Sequence, residues 1–304
     1  MVVLMAQQGA GKTRVAELIG RRLDELGGFV ELDSDLFKPY HPAYARLMAE
    51  DDRAMTQHTA ADGRAWMRQA QEYVRTEGMN ALMQTTAGNP EYLAESLRAD
   101  RAAGMRVEVA ALAVAEPLSE QGYLNRYHEQ VKERGSGRLT VPEKAAAAYQ
   151  AIPEAAALIE SERLADYAAV YRRGESTPRW ANALDEQREW LHPGGFATAI
   201  KEERARPLSA QEAADFTAVQ SKLRAEMGSE FRSQLERVDA RAAQLLPHGG
   251  NRIPAPTRRQ SAEALAAANA RSVTAGPPTG RAGSPDADTR PRTDLPGRRP
   301  GRQR

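Results

Sequence analysis

The sequence predicts an α/β fold, a mainly parallel sheet flanked by helices, with a C-terminal helical extension and a disordered tail. Three observations predict it. Apolar, strand-like runs alternate with amphipathic helical stretches up to about residue 182. A glycine-bearing loop joins the first run directly to the first helix. Beyond residue 247 the composition shifts to Pro, Gly and Arg. Alternation with helical crossovers is what a parallel sheet requires, because its strands cannot be joined by tight hairpins.

The elements follow in order. MVVLMA (1–6) is the first strand, and 12–26 a helix in which Val15, Leu18, Ile19, Leu23 and Leu26 recur at the helical period. GGFVEL (27–32) is a second strand, expected beside the first. A helix over 58–77 leads to a third strand, MNALMQT (79–85), and a helix over 91–103 to a fourth, MRVEVAALAVA (105–115). Helices over 117–134 and 142–163 precede a fifth strand, YAAVYRR (167–173). From 183 to 247 the pattern is helical and polar. There Leu223, Met227, Phe231, Leu235 and Val238 are spaced by three or four, which suits a helix docked on the core, with a solvent-exposed helix as the alternative. Three units result: 1–182, the extension 183–247 and the tail 248–304. In the tail, residues 275–304 hold 6 Pro, 5 Gly and 7 Arg and no aromatic residue, so they cannot build a core.

Bulk properties exclude some functions. With 42 basic and 41 acidic residues among 304, no global field selects nucleic acid or membrane as a partner. Cysteine is absent, which removes disulfide and thiolate chemistry. The apolar residues 1–5 are too few for a signal peptide or a membrane span, so a soluble, cytoplasmic protein is expected. His58 and His128 have no metal-ligand spacing between them.

The loop after the first strand reads AQQGAGKT, residues 6–13. It matches the phosphate-binding pattern G-x-x-x-x-G-K-[ST] except that Ala6 replaces the first glycine. Such a loop turns backbone N–H groups towards an anion at a helix N-terminus, whose dipole adds attraction. Gln8, Gly9, Ala10 and Gly11 form its turn, Lys12 reaches terminal phosphates and the Thr13 hydroxyl serves Mg²⁺. At Ala6 a negative φ costs little, whereas a positive one costs roughly 1 kcal/mol or more.

After the second strand comes ELDSDLFKPYHPAY (31–44), which puts Asp33 and Asp35 at a strand's carboxyl end, where open α/β sheets place their ligands. A carboxylate there can orient an acceptor hydroxyl and take its proton during phosphoryl transfer. Asp33 or Ser34 can equally cap the next helical turn. His41 and Pro42 shape the turn that follows. Trp66 and Tyr73, seven apart on one helix, read as core, with Trp66 as a sugar platform the alternative.

Together the loop at 6–13, LDSDLFKPYHP (32–42), HTAADGRAW (58–66) and RYHEQ…GSGR (126–138) resemble the zeta toxins of epsilon/zeta toxin–antitoxin pairs. The resemblance covers roughly residues 1–180. It implies a P-loop kinase-like fold and ATP- and Mg²⁺-dependent phosphorylation of the sugar 3′-hydroxyl of UDP-N-acetylglucosamine, with an epsilon-type antitoxin as protein partner. It makes Lys12 the phosphate-binding lysine, Thr13 the metal ligand and Asp35 the base, and sets Arg126 and Arg138 where arginines close on the moving phosphoryl group. A surface role for Arg126, paired with Glu129 or Gln130, is the alternative. The third strand departs from the family pattern. Gln84 occupies the place of a substrate-binding glutamate, Thr86 keeps the threonine, and Gly88 or Asn89 stands where an arginine belongs. A shifted acceptor, such as another small alcohol, an antibiotic or a nucleoside, is therefore an open alternative. So is a catalytically weak nucleotide-binding protein that acts through its extension or tail. A start placed too late would account for the short front end.

Overall fold

The computed structural model describes residues 1–50, 55–247 and 264–266. Strands β1 (Val2–Met5), β2 (Val30–Leu32), β3 (Ala81–Thr85), β4 (Glu108–Ala113), β5 (Tyr167–Arg172) and β6 (Trp180–Ala183) form one sheet in the order β2-β3-β1-β4-β5-β6. The first five are parallel and β6 runs antiparallel to β5. The helices are α1 (Thr13–Glu25), α2 (Ser34–Phe37), α3 (Tyr44–Glu50), α4 (Met55–Thr76), α5 (Pro90–Ala102), α6 (Glu116–Arg134), α7 (Pro142–Ser161), α8 (Phe196–Ala205), α9 (Ala210–Glu226) and α10 (Arg232–Ala242).

The central strands are buried on both faces, which their unbroken apolar runs require. Alternate residues of one strand feed opposite layers. Val3 and Met5 join Val109, Ala111 and Ile152 in one core, while Val2 and Leu4 join Val15, Leu23, Ala110 and Leu112 in the other. All five strands expected from the sequence are present, and the order corrects one placement. β2 does not lie beside β1, because β3 intervenes. The physical reason is burial: Ala81, Leu82 and Met83 suit an interior slot, whereas the three-residue β2, with Glu31 exposed, suits an edge.

β6 was not anticipated. Its sequence WANA is short and lacks β-branched residues, yet Ala181 and Ala183 are buried and Trp180 stacks on Phe196, with ring centroids 5.4 Å apart. The apolar series in the extension is also divided between two helices. α9 ends at Glu226, and a 3-10 turn at Ser229–Phe231 leads into α10. Leu223, Phe231 and Leu235 nevertheless bury together against Tyr123 and Leu124 of α6, so the extension is docked. Tyr73 corrects another expectation, being 58% exposed and not core. Trp66 is half-buried, its ring 6.0 Å from that of His41.

The expected tail, 248–304, lies outside the described residues except at 264–266, where Ala264 is buried against Tyr167, Ala169, Ala181 and Ala183. Among the described residues no helix is long and apolar enough to cross a membrane.

Candidate active site

A cleft of about 1380 Å³ opens at the carboxyl ends of the strands, lined by the 7–13 loop, Asp33, Asp35, Gln84, Thr86, Arg126 and Arg138. The structure therefore brings together every site residue that the sequence nominated.

The loop half is built by backbone. Ala6 continues from β1, is fully buried and donates its N–H to the Thr85 carbonyl at 3.0 Å. Its φ is not positive, so the methyl group is accommodated without backbone strain. Gly9 and Gly11 take φ of 75° and 83°, the left-handed region that glycine enters cheaply. At Gly9 there is a second constraint. An added Cβ would sit 2.0 Å from the Ser119 carbonyl oxygen and 2.6 Å from the Tyr123 nitrogen, and one at Gly122 would meet the Gly9 oxygen at 2.2 Å. The loop thus rests on α6 with no side chain between. Lys12 occupies the N-cap position of α1 without a side-chain capping bond, and Thr13 begins the helix.

Behind the loop, Gln7 is buried. It donates to the Val114 carbonyl (2.7 Å) and to Ser119 Oγ (2.8 Å), and its Oε1 accepts from Arg204 (3.2 Å). Arg173, at the end of β5, donates to the Gly9 carbonyl at 2.8 Å. Sequence reasoning missed Arg173 and Arg204, since they lie some 160 or more residues from the loop and carry no local motif.

The acceptor half is built by side chains. Asp33 caps α2, accepting from the Asp35 N–H at 2.9 Å, which frees Asp35 for the cleft. Lys38 donates to Asp35 Oδ1 and Arg138 to Oδ2, each at 2.6 Å. Burial alone would raise the Asp35 pKa, but the two cations outweigh it and hold the carboxyl at about 2. The signal for Lys38 in the sequence is its place three residues after Asp35 on a helical turn. Arg138 rides the segment after α6, its N–H donating to Gln130 Oε1 at 2.9 Å.

Arg126 donates to Thr140 Oγ1 at 3.0 Å and leaves its buried Nε without a partner. Burial, then the neighbouring Arg138, lowers its pKa. Its surface alternative is not realised, for Glu129 pairs with Lys222 instead. Gln84 donates to Glu31 Oε1 at 2.8 Å, across from β3 to the edge strand. The diagonal follows from register, because Glu31 faces Leu82 and Gln84 lies two residues further on. Asn89 caps α5 and is thereby occupied. His41 holds the turn after Asp35, accepting from the Ala43 N–H at 3.1 Å and meeting Asp62 at 3.0 Å. His128 pairs with Glu226, and His58 is exposed.

These residues fit a nucleotide. The glycine cradle, the orphaned Arg126 Nε and the orphaned buried Gln8 Oε1 all lie along the cleft. No cluster of three or more His, Cys, Asp or Glu able to hold a metal occurs among the described residues. A magnesium ion here would need Thr13 and the oxygens of a nucleotide, the usual arrangement for this cation.

A family model for Zeta toxin matches residues 1–185. No curated protein matches the chain. A solved chain from a structural characterization of the PezAT chromosomal toxin–antitoxin system of Streptococcus pneumoniae superposes with a TM-score of 0.63 at 18% identity, over 75% of this chain and 88% of that one. That likeness is one of fold, a mostly parallel six-stranded sheet between helices. With more than half its length matched, the chain belongs to the zeta toxin family.

Proposed function

We propose that the protein is a toxin kinase that transfers the γ-phosphoryl group of ATP to a sugar hydroxyl of UDP-N-acetylglucosamine or a close relative. One observation carries this reading: Asp35 faces the same cleft as the phosphate loop and is gripped there by Lys38 and Arg138 from different elements. A capping or surface aspartate has no need of two cations in a nucleotide-sized cleft.

In this reading the backbone from Gln8 to Gly11 and the Lys12 ammonium hold the β- and γ-phosphates. Mg²⁺, held by Thr13 Oγ and nucleotide oxygens, would neutralise phosphate charge. Asp35 accepts a hydrogen bond from the acceptor hydroxyl and orients its oxygen in line with the γ-phosphorus. As the new O–P bond forms and the bridging bond to ADP breaks, the hydroxyl proton passes to Asp35. Paired with Arg138 and Lys38, Asp35 stays ionised and ready to orient the hydroxyl, and the departure of Arg138 makes it a better acceptor for a proton that passes late, which suits a loose phosphoryl transition state. Arg138 moves from Asp35 to the transferring phosphoryl oxygens, and Arg126, with its Nε unsatisfied, joins it. Permanently charged, planar guanidinium groups suit that charge.

A changed acceptor is the second reading, favoured by one contact. The Gln84 amide is engaged by Glu31, so the acceptor wall presents a carboxylate from the edge strand where the family uses the third strand. Family membership and the toxin–antitoxin context of the structural relative support an epsilon-type antitoxin as partner. The test is ATP consumption with Mg²⁺, with and without UDP-N-acetylglucosamine, alongside Asp35→Ala. Turnover that needs both the sugar nucleotide and Asp35 is expected; turnover indifferent to Asp35 contradicts the reading.

A further inference from the structure

Arg173 has an unusual setting. It follows β5 directly, and its neighbour Arg172 is buried and clamped by Glu203 of α8 and Glu212 of α9, at 2.5 and 2.7 Å. Arg173 projects instead to the phosphate loop. It donates to the Gly9 carbonyl at 2.8 Å and to the Leu118 carbonyl at 3.3 Å. Its guanidinium occupies a slot that exists because glycines line it. A Cβ at Gly11 would lie 3.1 Å from Arg173 Nε, and one at Gly122 would lie 2.9 Å from a terminal nitrogen. The side chain nonetheless borders the cleft.

Among the described residues no carboxylate pairs with Arg173, and burial depresses its pKa with no acidic group opposing. A largely desolvated guanidinium without a counter-ion is costly, and native structures ordinarily pair such a group. Both recorded partners are carbonyl oxygens, which satisfy donors but not the charge.

We infer that Arg173 is a nucleotide-binding residue, a fixed cation beneath the phosphate loop whose counter-ion is the phosphate chain of a bound nucleoside triphosphate. The inference rests on the phosphate-loop reading above and extends it. By holding the Gly9 carbonyl, Arg173 also fixes the peptide on which the loop's curvature depends. Arg172, tied to α8 and α9, anchors this position, so the helices beyond residue 185 help set the loop's charge.

The test measures binding of ribose-labelled ATP, ADP and AMP, with Mg²⁺, to the full chain and to Arg173→Gln and Arg173→Lys. Arg173→Gln is expected to weaken ATP by about 10- to 100-fold and AMP by less than about threefold, with Arg173→Lys in between. A purely structural role, which any donor to the Gly9 carbonyl could fill, would impair ATP binding equally in Arg173→Gln and Arg173→Lys, and that result overturns the inference. Should Arg173→Gln fail to fold, the unaltered chain still decides: the Arg173 Nε–H resonance should move on adding ATP and not on adding adenosine, and identical responses overturn the inference. Unimpaired ATP binding by both variants overturns it alone. Failure of the unaltered chain to bind ATP overturns it together with the phosphate-loop reading.

Discussion

The two halves of the cleft are made differently. The nucleotide half is backbone against backbone: Gly9 on Ser119 and Tyr123, Gly122 on Gly9, with the loop seated on α6. The acceptor half is side chain against side chain: Lys38 and Arg138 on Asp35, Gln84 on Glu31, with the Asp35 side chain 46% exposed. Backbone contacts leave almost no freedom to vary, whereas ion pairs between flexible side chains can be exchanged one residue at a time. The departures from the family pattern at Gln84 and Gly88 fall in the second half. At Ala6, in the first, the negative φ lets the backbone keep its course.

Breaking the nucleotide half should have the largest effect. Gly9→Ala forces a Cβ into α6 at a positive φ, and overpacking plus the left-handed penalty should cost about 2–5 kcal/mol. A large fall in melting temperature, with ATP binding lost, is expected in a thermal shift assay. A variant as stable as the parent would show that the loop does not rest on α6 as described.

In the acceptor half, effects should fall on turnover far more than on stability. Arg138→Gln is expected to lower kcat by about 10²- to 10³-fold while ATP affinity stays close to that of the parent. Steady-state kinetics beside calorimetry would separate the two, and equal losses in both would place Arg138 in the nucleotide half. A smaller change is expected for Glu31→Gln, which removes a carboxylate from the acceptor wall and should raise the acceptor KM by about tenfold. An unchanged KM would mean that Glu31 only positions Gln84.

The smallest effect concerns pH. The folded-state pKa of Asp35, about 2, lies below its ordinary 3.8. The pairing therefore adds stability that is fully present above about pH 4 and is lost as pH falls towards 2. Carboxyl NMR should find Asp35 ionised throughout the neutral range, with its midpoint raised by Arg138→Gln. A midpoint near 4 in the parent would mean that Arg138 does not hold Asp35.

The same division explains what could be read from the sequence. Five strands, the five long helices between them and the phosphate loop were legible because each depends on local periodicity or on one contiguous motif, whereas the short α3 (Tyr44–Glu50) gave no such period. Asp33 as cap and Asp35 in the cleft were legible as a pair, since both lie on one turn. Other features depend on distant partners. β2 was misplaced because strand order is decided by which strand buries best, and β6 was missed because WANA gains its place only by pairing with β5. Glu31, Arg173 and Arg204 gave no signal, since each matters through a residue brought near by folding. Tyr73 misled because helical spacing alone does not say which face is covered.

The central claim is that the halves are separable in chemistry and joined only by the reaction. The most direct test is to measure ATP affinity and phosphoryl transfer to UDP-N-acetylglucosamine on the same preparation of Asp35→Asn. The account predicts ATP affinity within about twofold of the parent and transfer reduced by about 10²- to 10⁴-fold. Transfer at the parental rate, or ATP affinity lost in step with transfer, would contradict it.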